Sequence, residues 1–84
     1  MQIKKASKVK TVSYLGKPFE TQTFTFVGTT TRCVIRRSTE LSDVNICRGD
    51  GRTLNFKQFL NHELTSEELQ MSNEEIALKL IQTI

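Results

Sequence analysis

Phe19-Glu20-Thr21-Gln22-Thr23-Phe24-Thr25-Phe26-Val27 decides the fold. Its β-branched and aromatic residues alternate with a period of two, the pattern of a half-buried strand. Successive strand side chains point to opposite sides, so Phe24 and Phe26 share one face with Gln22, while Thr21, Thr23 and Thr25 share the other. The phenylalanine face is expected to meet the core. Upstream, residues 9–15 (Val-Lys-Thr-Val-Ser-Tyr-Leu) have the same character, and Gly16-Lys17-Pro18 separates the two runs as a hairpin signal. Pro18 has no N–H with which to close a two-residue turn, so a loop of three or more residues is expected there.

Two more strands follow: Arg32-Cys33-Val34-Ile35-Arg36-Arg37 and Asp43-Val44-Asn45-Ile46-Cys47-Arg48, joined by residues 38–42. Setting Ile35 opposite Ile46 places Cys33, Ile35, Val44 and Ile46 on one face and Cys47 on the other, beside Val34. That parity predicts no disulfide, and a one-residue slip would reverse it. After Gly49-Asp50-Gly51 the composition changes. Thr53 can cap a short helix in which Phe56, Phe59, Leu60 and Leu64 recur at helical spacing. Two capping-box patterns come next, Thr65 with Glu68 and Ser72 with Glu75. The second opens a segment whose Ile76, Ala77, Leu80, Ile81 and Ile84 form a broad apolar stripe; helix suits it best, although residues 81–84 alone also fit a strand. Strands followed by helices imply an α+β fold: an antiparallel meander of about four strands, then two short C-terminal helices packed on one face.

Length sets the limits of this fold. A chain of 84 residues is one domain, here 1–84 with residues 1–8 as a flexible basic N-terminus. It buries only about 60–65% of its unfolded surface, so the core is thin and self-association is a natural supplement. The first six residues contain no apolar signal region, and no apolar run approaches the ~20 residues of a membrane span. A cytoplasmic protein with no membrane partner is expected, with Cys33 and Cys47 reduced.

Charge is divided by position. Residues 1–57 hold 11 of the 12 Lys and Arg against 4 of the 9 acids, a balance of +7. Residues 58–84 hold Lys79 against five glutamates, a balance of −4. Lys4, Lys5, Lys8 and Lys10 cluster at the N-terminus, and Arg32, Arg36 and Arg37 lie on one strand. With Tyr14 as a stacking ring, these eight residues are the candidate surface for nucleic acid or an acidic partner. The competing explanation is that Lys and Arg simply solubilise a sheet face and block edge pairing. The glutamates complement helix starts. Leu78 lies about 160–200° around a helix from Ile76 and Leu80, beyond their stripe. Leu69, Met71, Glu74, Glu75 and Leu78 are therefore the candidate protein-interaction patch, for a partner or for a second copy forming a homodimer.

Catalytic and metal chemistry find little support. His62 is the sole histidine, and neither Cys33 nor Cys47 carries a nucleophile signature. The cysteines and His62 are 14 and 15 residues apart, whereas structural zinc sites use close ligand pairs. The adjacent pairs Glu67-Glu68 and Glu74-Glu75 diverge by about 100° on a helix and cannot converge on one substrate atom. Arg48-Gly49-Asp50 reads as a turn. No cofactor, metal or catalytic residue is expected. What remains is a small non-enzymatic regulatory or inhibitory protein that occupies a larger protein or nucleoprotein complex. Chains of this kind occur in phages and other mobile elements as inhibitors of host systems. The alternative is direct nucleic-acid binding through the basic sheet face and N-terminus.

Overall fold

Residues 19–26 lie on the longest strand of an antiparallel sheet in the computed structural model, which describes residues 2–49 and 56–83. Among the described residues there are six strands: β1 (Ile3–Ala6), β2 (Lys10–Tyr14), β3 (Lys17–Phe26), β4 (Thr31–Arg37), β5 (Ser42–Gly49) and β6 (Phe56–Glu63). Their order is β1-β3-β4-β5-β6, with β2 also paired to β3. β1 lies beside Phe24–Phe26 and β2 beside Lys17–Thr21, so together they make one interrupted edge along the long β3. Ser7 spans the interruption. Its N–H donates to the Thr23 carbonyl at 2.9 Å, and its hydroxyl accepts the Thr23 N–H at 2.9 Å. A 3-10 turn (Glu68–Gln70) and one helix, α1 (Asn73–Ile81), follow among the described residues.

The α+β class holds, with a larger sheet and a smaller helical part than the expected four strands and two helices. The main correction concerns residues 56–64, expected as helix and found mostly in β6. The register between β5 and β6 shifts after Ile46, which pairs with Leu60, while Cys47 pairs with Gln58. Phe59 is the extra residue of a bulge. A bulge breaks the period of two, and Phe56, Phe59, Leu60 then imitate helical spacing. The Thr53 cap, the Gly49-Asp50-Gly51 turn beyond Gly49, and Ile84 lie outside the described residues.

The first hairpin is tighter than expected. Tyr14 pairs with Lys17 across a two-residue turn of Leu15 (φ 52) and Gly16 (φ 78). Pro18 is one residue past the closing pair, opposite Ser13, where a non-hydrogen-bonded position asks nothing of its nitrogen. β4 pairs with β3 only from Glu20 onward, so the hairpin tip projects beyond β4.

The core lies between one sheet face and α1, which crosses β3 and β4. Phe24, Phe26, Cys33, Ile35, Val44, Ile46 and Leu64 come from the sheet side, and Ile76, Ala77, Leu80 and Ile81 from the helix. The expected faces of β3, β4 and β5 are therefore correct. The partners are displaced by two residues: Ile35 faces Val44, and Cys33 faces Ile46. A shift of two keeps every side chain on its face. Both cysteines are free. Ser72 caps α1, its hydroxyl accepting the Glu75 N–H at 3.2 Å. No helix among the described residues is long and apolar enough to cross a membrane.

Candidate functional site

The second face of the sheet has no described element packed on it. By register it carries Lys5, Lys10, Val12, Lys17, Phe19 and the row Thr21, Thr23, Thr25 on one side. Arg32, Val34 and Arg36 follow on β4, then Asp43, Asn45 and Cys47 on β5, with Asn61 and Glu63 at the far edge. Tyr14 occupies a register position in line with Lys10 and Val12. Lys5, Lys10 and Arg32 are thus brought onto one surface. Lys8 sits in the break between β1 and β2, and Lys4 is the extra residue where the β1–β3 register shifts.

A polar row crosses this face. Arg36 Nε donates to Asp43 Oδ1 at 2.7 Å, and its guanidinium also pairs with Asp43 Oδ2. Asn61 Nδ2 reaches the same carboxylate at 3.2 Å and Asn45 Oδ1 at 2.7 Å. Burial alone would raise the Asp43 carboxyl, but hydrogen bonds from Arg36 and Asn61 hold it below the ordinary carboxylate range. Arg36 is therefore committed to Asp43.

Arg37 points the other way, toward the helix layer. Its Nε donates to Asn73 Oδ1 at 2.8 Å, and its terminal nitrogens to the Leu69 and Met71 carbonyls at 3.0 and 2.7 Å. Asn73 Nδ2 in turn donates to Gln22 Oε1 at 2.9 Å. One guanidinium thereby fastens residues 69–73 to β4. Planar, forked donors suit such multiple acceptors. A second tie lies beside it. Glu68, 1% exposed, accepts the Thr65 N–H at 2.9 Å, closing the expected capping box from the side-chain end, while Thr65 Oγ1 accepts the Glu68 N–H at 3.2 Å. His62 Nε2 and Lys79 Nζ approach the same carboxylate at 2.8 and 3.2 Å. The Thr65 N–H, opposed by burial and reinforced by His62 and Lys79, brings the Glu68 carboxyl down to about 2.

The expected protein-interaction patch is divided by these ties. Met71 and Leu78 are half-buried against the core, whereas Leu69 is 42% exposed. Glu74 and Glu75 are exposed in the first turn of α1, where Glu75 Oε1 accepts from the Ser72 hydroxyl at 3.0 Å.

The site that sequence reasoning missed is the hairpin tip. Leu15 is 85% exposed and sits at positive φ, where a non-glycine side chain crowds its own carbonyl at a cost of about 1–2 kcal/mol. Beside it, Leu15, Pro18, Phe19 and Leu41 line a groove of about 410 Å³. The Lys17–Glu40 ion pair, at 2.5 Å, and the Arg36–Asp43 pair border it. The dipeptide Leu15-Gly16 was the available signal, because glycine at the second turn position marks a two-residue hairpin.

Cys33 is fully buried, and burial, with a smaller effect from Cys47, pushes its thiol up to about 12. Cys47 lies on the opposite face from Cys33, and His62 is engaged by Glu68. Among the described residues no group of three or more His, Cys, Asp or Glu could hold a metal ion. No protein-family model, curated protein or solved structure matches the chain.

Proposed function

We propose that this chain is a non-enzymatic binding protein that acts by occupancy. It seats the uncovered face of its sheet on a larger protein or nucleoprotein complex and blocks or adjusts it, in the manner of inhibitors that phages and mobile elements direct at host systems. The observation that carries this reading is the make-up of that face. Lys5, Lys10 and Arg32 share it with Val12, which is 40% exposed, and with the apolar groove at the hairpin tip. Cations steer encounter, and apolar anchors supply lasting contact. The engagement of His62 by Glu68 and the burial of Cys33 weigh against thiol chemistry.

Direct nucleic-acid binding is the second reading, favoured by the shared surface of Lys5, Lys10 and Arg32, with Tyr14 at a neighbouring register position. Affinity capture from the native host separates the two. With occupancy of a protein, the captured partner survives nuclease treatment and is lost with the Lys5→Glu, Lys10→Glu double variant. Capture that nuclease abolishes, together with oligonucleotide binding that falls steeply with salt, would replace the first reading with the second.

A further inference from the structure

We infer that the tip of the β2–β3 hairpin is the anchor of this surface, and that its partner is an acidic protein segment presenting an apolar side chain. This rests on the occupancy reading and narrows it to one site and one chemistry.

Leu15 is the first observation. A two-residue turn with both central residues at positive φ calls for Asn-Gly or Asp-Gly. Here the first position is leucine, at φ 52, and it is 85% exposed. The side chain strains its turn and gains no burial within the chain. A local outlier of this kind points to a contact outside the molecule.

The groove beside Leu15 is the second. Its apolar lining includes Pro18, Phe19 and Leu41, and Val12 extends the surface across the strand pair from Phe19. Leu41 is 53% exposed, so two leucines on separate loops flank one cleft. The charges at its border are already paired, Lys17 with Glu40 and Arg36 with Asp43. The cleft therefore accepts an aliphatic or aromatic side chain without leaving an ion unpaired.

Charge selects the partner. By register this face carries Lys5, Lys10, Lys17, Arg32 and Arg36 against Asp43 and Glu63, with Glu40 in the adjoining turn. The ammonium groups of Lys5 and Lys10 have no partner among the described residues. Lys10 pairs with Thr21 four residues along β2 from Tyr14, about 13 Å at strand rise. A short extended segment can thus fill the groove and reach these cations with carboxylates. Phosphates would find Lys5 and Lys10 but would leave Leu15, Leu41 and the groove without a counterpart, so protein is favoured over nucleic acid.

The test is an amide-resolved NMR titration of the whole chain with an acidic decapeptide carrying one central leucine. The controls are the same peptide with serine for leucine, a lysine-rich version, and a short oligothymidylate. The amides of Leu15, Gly16, Phe19 and Leu41 are expected to shift saturably with the leucine peptide and at least tenfold more weakly with the serine peptide. Leu15→Asn, which suits the turn, should raise the melting midpoint by about 3–6 °C and still weaken binding about tenfold. Equal shifts with the serine peptide, unchanged affinity in Leu15→Asn, or a silent tip would each overturn the inference. Shifts confined to Lys5, Lys10 and Arg32 would reject the tip and keep the occupancy reading. Shifts of that face with oligothymidylate alone would give the surface to nucleic acid, and silence with every probe would remove both.

Discussion

The two faces of the sheet share one backbone, yet they spend their side chains differently. On the covered face, the apolar residues of β3, β4 and β5 close against α1, and the polar ones are tied down: Arg37 to three acceptors, Glu68 to Thr65, His62 and Lys79. On the uncovered face, Arg36, Asp43, Asn45 and Asn61 are joined in one polar row, and apolar surface is left in the open at Val12 and, in the adjoining turns, at Leu15 and Leu41. An antiparallel sheet tolerates this asymmetry because one solvated face is ordinary for it. The difference locates stability on one side and availability on the other, and each can be disturbed without the other.

The sharpest way to break that division is through the core. Ile76, fully buried at the middle of α1, should cost about 2–5 kcal/mol when changed to alanine, measured as a lower urea midpoint with an unchanged slope. A loss below 1 kcal/mol would mean that the helix layer contributes little to holding the sheet.

Acid tests the covered face next. The Glu68 carboxyl lies near 2 against an ordinary 4.5, so its charged form is the one the fold favours. Its contribution is complete above pH 4.5 and is lost as pH falls toward about 2. It is on the order of 3 kcal/mol when converted at 1.36 kcal/mol per unit. Glu68→Gln should flatten most of the stability loss between pH 5 and 2.5. A remaining slope belongs to Asp43, which is also lowered. An unchanged profile would show that the carboxylate is not the tie described.

Arg37→Ala should cost about 2 kcal/mol, because two backbone carbonyls and Asn73 lose a charged donor. Arg37→Lys should recover only part of it, since one ammonium cannot span the same fork. Denaturation midpoints of the two variants check this. At the small end, Thr23→Ala on the uncovered face should move stability by no more than about 0.5 kcal/mol. A larger loss there would mean that the uncovered face is structural as well.

The sequence announces the covered face far better than the uncovered one. Alternation in residues 19–27 is enough to orient Phe24 and Phe26, and parity alone separates Cys33 from Cys47. The Ser72 cap is equally legible, being a local contact three residues apart. Residues 56–64 misled because a single bulge converts strand spacing into helical spacing. Arg37 could not be recognised as a tie, since its acceptors lie more than thirty residues away and two of them are backbone. It looked like one more cation beside Arg36. Leu78 on an isolated helical wheel has no neighbour, whereas in the fold it rests partly against the core. The tip groove depends on Leu15 and Leu41 meeting from different loops, and no local pattern encodes that meeting.

The interrupted edge has a consequence for the protein at high concentration. A single long strand beside β3 would present an unbroken row of unpaired amides, a template on which further chains could stack into fibrils. Here the edge is cut into pieces of four and five residues, and Ser7 seals the cut with its own hydroxyl. β1 and β2 can then open as separate units, so transient loss of β1 leaves the β2–β3 ribbon intact. Amide exchange should record this as two opening events along one edge, with Val27, whose N–H donates to the Gln2 carbonyl beside β1 at 2.9 Å, released before Thr21.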